Sequence, residues 1–343
     1  MKISVLAHSK FPIREPFAGG LEAHTHSLCK GLTRLGHQVT LHAALDSDPS
    51  IGLRTLAIGD GDYCELQHSY QQTMSQLLID PPDLVHINSL HYLPVIMAPR
   101  LSCPVTMTLH TPPFAELASG VTIERHSGYI RYIAVSEHTA RAWQSWQIDN
   151  PVVIHNGIDP AIWSFHNHPA PDLALWFGRL CPEKAPHLAI EAARQAGLRL
   201  WLCGYIYDRD YFDQQIRPRL SDDIRYLGHQ PRRRLNTLLG QAAVCLFSSV
   251  WEEPFGLTVI EALTSGTPVA AFDSGAIREL LPGDCGRIVE RGDWSALATA
   301  ARQAMMLDRQ RCRQWAEQHF SLNRMIAGYQ QVFDDCLGAA NAA

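Results

Sequence analysis

Twice along this chain, short apolar runs rich in β-branched and aromatic residues alternate with longer segments of helical period, and a single polar break separates the two series. Such alternation specifies repeated βα units, because each crossover helix returns the chain to lay the next strand parallel to the last. The first series puts strands at residues 3–7, 39–43, 84–87, 105–109, 132–135 and 152–154, with helices at 21–35, 66–78 and 137–146. After the polar, proline-containing stretch 165–172, the second puts strands at 173–177, 198–203, 224–227, 244–247, 268–272 and 287–289. Its helices are expected at 185–195, 231–239, 256–264 and 294–306. The expectation is two successive doubly wound α/β domains, 1–164 and 173–320, joined by a linker at 165–172. Ligands of such sheets bind beyond the carboxyl ends of the strands, here in the cleft expected between the domains. A last helical stretch within 321–343 is apolar enough to pack, with the N-terminal domain as one candidate for its docking surface.

Composition agrees with two packed cores. The 343 residues are 46% apolar and 18% charged, which excludes a disordered chain, a fibrous repeat or a small disulfide scaffold. The net charge of -5 divides into 10 basic against 14 acidic side chains up to about residue 165 and 19 against 20 beyond it. Neither half is a footprint for nucleic acid, and Arg232-Arg233-Arg234 reads as a solvated helix face. Nine scattered cysteines form no metal-ligand spacing and read as small buried side chains of a reducing cytoplasm. The N-terminal residues begin a strand at once, and no apolar run approaches the roughly 18 residues that span a bilayer. Contact with a membrane surface stays open.

Four short segments carry chemistry. Gly19-Gly20 closes the first strand's loop just before a helix, where bare amides and the helix dipole favour an anion or a hydroxyl. Their spacing is not the GxGxxG fingerprint, which counts against a nicotinamide dehydrogenase. His110 ends the strand 105–109 and is followed by Thr111-Pro112-Pro113, which aims it beyond the carboxyl edge of the sheet. The second domain opens on Gly178-Arg179, with Lys184 five residues later at the start of a helix. Only four of the 29 basic residues are lysines, so one at this spacing is a rare event, and the pair reads as a diphosphate site more readily than as two solvated cations. The fourth segment, Trp251-Glu252-Glu253-Pro254-Phe255-Gly256-Leu257-Thr258, leads into a helix that contains Glu261. Glu253 can face a ligand's hydroxyls, the amides of Gly256, Leu257 and Thr258 can meet phosphate oxygens, and Glu261 can accept two ribose hydroxyls.

Together with Val153-Ile154-His155-Asn156-Gly157-Ile158-Asp159 and Ala262-Leu263-Thr264-Ser265-Gly266-Thr267-Pro268, these segments resemble the family 4 glycosyltransferases of the GT-B architecture. That architecture sets two Rossmann-like doubly wound domains about a central cleft, the N-terminal one for the acceptor and the C-terminal one for the nucleotide sugar. The resemblance covers most of the chain and implies retaining hexosyl transfer from a nucleoside diphosphate sugar, UDP-sugar before GDP-sugar on family frequency. Arg179 and Lys184 would steady the leaving diphosphate, Glu253 the sugar and Glu261 the ribose, with Phe255 in the same donor loop. His110 would lie beside the transferred sugar, Gly19 and Gly20 near the diphosphate and acceptor, and Ser136 on the acceptor side. The loop after Leu227-Gly228, near His229, is expected to border the base.

The residue types suit that chemistry. Cations preorganised around the leaving group take the place of a metal, so no metal and no cofactor is expected, the nucleotide sugar being a co-substrate. Asp46-Ser47-Asp48 and Asp208-Arg209-Asp210 superficially resemble a metal-binding DxD but read as carboxylates of loops and helix starts. No carboxylate stands out as a nucleophile for double displacement, so front-face retention is expected. The acceptor would be a carbohydrate, a lipid-linked compound or a small molecule, and the segment 114–131 is expected to shape its pocket. A nucleotide-sugar epimerase of the same fold and a non-catalytic nucleotide-sugar-binding subunit are the alternatives. The first lacks a recognisable acid/base set, and the second has no reason to keep Arg179, Lys184, Glu253, Glu261 and His110 together.

Overall fold

The computed structural model describes residues 1–56 and 63–342. The chain divides into two compact units, Met1–His155 with Asn323–Ala343, and Asn156–Leu322.

Unit 1 holds, among the described residues, seven parallel strands: β1 (Lys2–Ala7), β2 (Gln38–Ala44), β3 (Leu53–Leu56), β4 (Leu84–Asn88), β5 (Val105–Leu109), β6 (Ile130–Ala134) and β7 (Val152–Val153). They lie in the order β3-β2-β1-β4-β5-β6-β7, so the direction of winding reverses between β1 and β4. At such a reversal the loops leaving the two strands diverge to opposite faces and open a crevice at the carboxyl edge. The helices are α1 (Gly20–Arg34), α2 (Tyr63–Ile79), α3 (Tyr92–Met97), α4 (Ala115–Glu124) and α5 (Glu137–Gln144). The C-terminal helix Leu322–Ala342 also packs here, burying Tyr329 and Phe333 against His86.

Unit 2 repeats the plan with β8 (Ala170–Phe177), β9 (Arg199–Cys203), β10 (Ile224–Tyr226), β11 (Ala242–Phe247), β12 (Val269–Phe272) and β13 (Gly286–Val289). The order β10-β9-β8-β11-β12-β13 reverses between β8 and β11. Its helices are α6 (Pro186–Gln195), α7 (Arg209–Tyr211), α8 (Arg232–Gln241), α9 (Leu257–Thr264), α10 (Ile277–Leu280), α11 (Trp294–Ala304) and α12 (Arg309–Phe320). Strand β11 is buried throughout, as expected of a central parallel strand with both faces covered. No helix among the described residues is long and apolar enough to cross a membrane.

The division between units falls at His155–Asn156, not at the expected 164/165, and 165–172 is not a free linker. Residues 156–169 are fastened to unit 2 by two arginines of α12. The Arg309 guanidinium donates to the carbonyls of His166 and Ala242 at 2.9 Å each, and Arg313 donates to those of Trp163 and Thr264. Beyond them β8 already begins at Ala170, paired with Ala242 of β11. Helix α12 was absent from the expected elements because its apolar stripe, Cys312, Ala316 and Phe320, is thin and set among charged and polar residues in RQRCRQWAEQHF. Strand β3 is a four-residue strand paired with β2 at the end of the described sheet order, and it too lacks a pattern of its own.

Two of the central strands of unit 1 bury polar residues, namely His86 and Asn88 on β4 and Thr106 and Thr108 on β5, and β2 buries His42. Burial, with a smaller contribution from Arg54, lowers the His42 pKa from 6.5 to about 4. Below pH 6.5 the unfolded chain therefore binds a proton that the native state refuses, so stability is full above pH 6.5 and drains away towards pH 4. His42 alone is expected to cost roughly 2 kcal/mol between pH 7 and pH 5. Urea midpoints measured across that range should fall, and should fall less in the His42→Leu variant.

Candidate functional site

At the reversal in unit 2, the loop leaving β8 and the loop leaving β11 are bonded to each other. Ser248 Oγ donates to the carbonyls of Lys184 and Ala185 at 3.0 Å each, and the Val250 amide donates to the Glu183 carbonyl at 2.9 Å. Trp176, near the end of β8, fixes Ser248 in turn by donating from its indole at 3.0 Å. This lacing brings Lys184 Nζ into an ion pair with Glu253. The two adjacent glutamates separate cleanly: Glu253 is buried, whereas Glu252 is half-exposed and pairs with Arg291 at 2.6 Å. Lys184 also lies 5.3 Å from the centre of the Trp251 ring, and Arg179 lies 5.0 Å from that of Tyr207.

Glu253 is held from behind by the loop after β12, whose Ala276 amide donates to the Glu253 carbonyl at 2.9 Å. The approach is close enough that a Cβ on Gly275, whose φ is +58°, would lie 2.1 Å from that oxygen. Three residues past Glu253, Gly256 takes φ +109° and opens α9 with no side-chain cap. The first amides of α9 are therefore not claimed by a capping side chain, and the helix presents the positive end of its dipole there. Glu261 lies on the second turn of the same helix, half-buried.

In unit 1 the reversal gathers a second cluster. Gly19 is the N-cap of α1, again without a side-chain cap, and Gly20 is its exposed first residue. Glu22, in the first turn, pairs with His8 at the end of β1, and His8 Nδ1 accepts from the Lys10 amide at 3.0 Å. His110 follows β5 and is half-buried, its Nε2 3.0 Å from Asn88 Oδ1 at the end of β4 and its ring 4.7 Å from that of His24 on α1. Burial first, then the neighbouring His24, His86 and His8, hold the His110 pKa well below 6.5. At neutral pH it is an uncharged donor and acceptor of hydrogen bonds.

Residues 18–162 match the family described as Glycosyltransferase Family 4, and residues 162–320 match the one described as Glycosyl transferases group 1. The chain belongs to glycosyltransferase family 4. Similar proteins include a glycogen synthase of Mycobacterium tuberculosis, 25% identical over 84% of this chain and 82% of that protein. A phosphatidyl-myo-inositol mannosyltransferase of Mycolicibacterium smegmatis is 26% identical over 88% of this chain and 83% of its own length. Among solved structures, Anabaena HepE in complex with UDP and glucose superposes with a TM-score of 0.78 at 19% identity, covering 98% of this chain and 100% of that one. Sucrose-phosphate synthase of Thermosynechococcus elongatus gives 0.78 at 18% identity, covering 98% and 99%. At those identities the likeness is one of fold, two parallel-sheet α/β domains of the GT-B type.

Within this glycosyltransferase the expected residues fall into two groups. Arg179, Lys184, Glu253, Phe255, Gly256, Leu257, Thr258 and Glu261 follow the carboxyl ends of the adjacent strands β8 and β11. His229 follows β10, two strands away, with its ring 6.0 Å from that of Tyr205. Gly19, Gly20 and His110 follow β1 and β5 of unit 1. Lys184 does not start a helix as expected: it closes the short turn Pro182–Lys184, and α6 begins after Ala185. Ser136 is fully buried as the N-cap of α5, where its hydroxyl accepts from the Thr139 amide at 3.0 Å and donates to Thr139 Oγ1.

In the segment 114–131, α4 sends Leu117, Ala118 and Val121 into the core and Glu124 accepts from the Tyr129 and Ile130 amides. Each aspartate motif has one member that caps a local turn or helix and one, Asp46 or Asp210, that is exposed. Asp48 caps the turn Pro49–Ile51 and meets His26 at 3.0 Å, and Asp208 caps α7. Tyr205, Tyr207, Asn88 and His24 were missed. The two tyrosines follow β9 in Cys203-Gly204-Tyr205-Ile206-Tyr207, where aromatics past a strand end were the available signal.

Because Glu253 is buried, Lys184→Met strands a carboxylate and should lower stability by roughly 3 kcal/mol, whereas Lys184→Met/Glu253→Gln together should recover most of that loss. Urea denaturation of the two single variants and the double variant measures the coupling.

Proposed function

We propose that this glycosyltransferase moves a sugar with retention from a nucleoside diphosphate donor, a UDP-sugar before a GDP-sugar, to an acceptor hydroxyl. The observation that carries the reading is the Lys184–Glu253 pair beside the uncapped start of α9. A cation, a carboxylate and an uncapped helix start in one place match a ligand that carries phosphates and hydroxyls together. Arg179 and Lys184 stabilise the charge that develops on the departing diphosphate, Glu253 orients the sugar and Glu261 accepts from the ribose hydroxyls. His110, uncharged, meets the hydroxyls of the transferred sugar, and Tyr205 and His229 border the base. The acceptor is a hydroxyl of a carbohydrate, a lipid-linked compound or a small molecule. HepE, a structural neighbour at low identity, has been crystallised with UDP and glucose, which supports UDP as the first nucleotide to test.

The step balances without a covalent enzyme intermediate. The bond from the anomeric carbon to the phosphate oxygen breaks and its electron pair leaves on the diphosphate. The acceptor oxygen bonds to the same face of that carbon, and its proton passes to the departing phosphate oxygen. Because Arg179 and Lys184 supply the positive charge, no divalent ion is required in this reading.

UDP at a hundred times its Kd should stabilise the protein by about 2.7 kcal/mol, a rise in Tm that GDP and ADP should not match. Transfer should persist in excess EDTA and fall at least about a hundredfold in Lys184→Ala and Glu261→Ala, with circular dichroism unchanged. Full activity in both variants would overturn the assignment. Strong UDP binding with no turnover would favour a non-catalytic subunit.

A further inference from the structure

His110 is tied into a chain of hydrogen bonds whose direction can be read from one end. Thr25 Oγ donates to the Leu21 carbonyl at 2.8 Å, so its lone pairs receive the Asn88 amide group at 3.3 Å. That fixes which way the Asn88 side chain points and turns its Oδ1 towards two imidazoles, with His110 Nε2 at 3.0 Å and His86 Nε2 at 3.1 Å. A carbonyl oxygen only accepts, and it accepts twice, so both rings must bring an N–H to it. His86 Nδ1 then accepts from Thr106 Oγ at 2.8 Å. Thr108 Oγ extends the network, 3.2 Å from His86 Nε2 and 2.8 Å from Tyr329 of the C-terminal helix, whose hydroxyl is 3.3 Å from His24 Nε2. Thr25, His86, Asn88, Thr106, Thr108 and Tyr329 are all fully buried.

We infer that Asn88 is a positioning residue that fixes His110 as the tautomer protonated at Nε2 and so leaves Nδ1 as its one acceptor for a substrate hydroxyl. In an open loop an imidazole exchanges freely between its two neutral forms, only one of which accepts at Nδ1. Asn88, on a central strand with no freedom to turn, removes that choice before substrate arrives. The titratable groups acting on His110 among the described residues are imidazoles. They are His24 from α1, His86 from β4 and His8 after β1, and the carboxylate of Glu22 pairs with His8. The inference rests on the proposed function only for what Nδ1 then does; the tautomer is read without turnover.

The test is nitrogen NMR of the full-length protein labelled in its histidines, with the His110 signals assigned by their loss in His110→Gln. The wild-type ring should show Nε2 protonated and Nδ1 bare through neutral pH. Asn88→Ala should mix the tautomers and lower kcat about tenfold or more, with the donor KM moving far less. Asn88→Asp, which keeps the acceptor and adds charge, should retain Nε2–H, raise the His110 pKa and bring an acid limb into kcat/KM between about pH 5 and 7. An unmixed Nε2–H signal in Asn88→Ala overturns the inference, as does a wild-type pH profile in Asn88→Asp. Mixed tautomers with unchanged kcat would uphold the positioning and remove His110 from the proposed function.

Discussion

The buried ion pair between Lys184 and Glu253 is the contact on which the organisation of unit 2 turns. It joins two loops that leave adjacent strands in opposite senses, and neither loop could hold its charge alone away from water. Everything near it serves the same juncture: the Ser248 hydroxyl ties the two backbones, Trp176 steadies Ser248, and Ala276 holds Glu253 from behind. The pair satisfies each partner in the free protein while leaving both beside the start of α9. A ligand carrying phosphates and hydroxyls could exchange with it, one group for each partner.

Unit 1 works by different means. Its cluster is assembled from uncharged groups, and burial keeps it so: His86 is pushed down to about 3 and His110 well below 6.5. Glu22, at the first turn of α1, pairs with His8. One unit therefore offers fixed cations and carboxylates, and the other offers neutral, directional donors and acceptors.

Much of this was legible in the residues. The repeated βα alternation gave the two doubly wound sheets because central parallel strands must be apolar on both faces, whereas Lys184 after Gly178-Arg179 stood out because lysine is rare in this chain, and Glu253 and Glu261 because of their spacing about Pro254-Phe255-Gly256. What stayed hidden was held by contacts between distant segments. Helix α12 has only a thin apolar stripe to announce it, Cys312, Ala316 and Phe320, and much of its hold comes from Arg309 and Arg313 donating to carbonyls of the segment 156–169 and of unit 2 strands and helices. The same bonds moved the boundary, because a proline-rich polar stretch looks like a linker until its carbonyls find donors. Asn88 was hidden for the opposite reason: it continues an apolar strand, and only the meeting of β4, β5 and α1 gives its amide something to do.

The close packing of Gly275 against Glu253 bears on how portable this chemistry is. With β12 and α10 pressed against the carboxylate loop, the segment from Glu253 to Glu261 is not self-contained, and its shape is borrowed from backbone more than twenty positions away. Moving that segment alone to another sheet would carry the charges without their bearings. The smallest transplantable piece runs from the end of β8 through Ala276, across the loops that leave β8, β11 and β12.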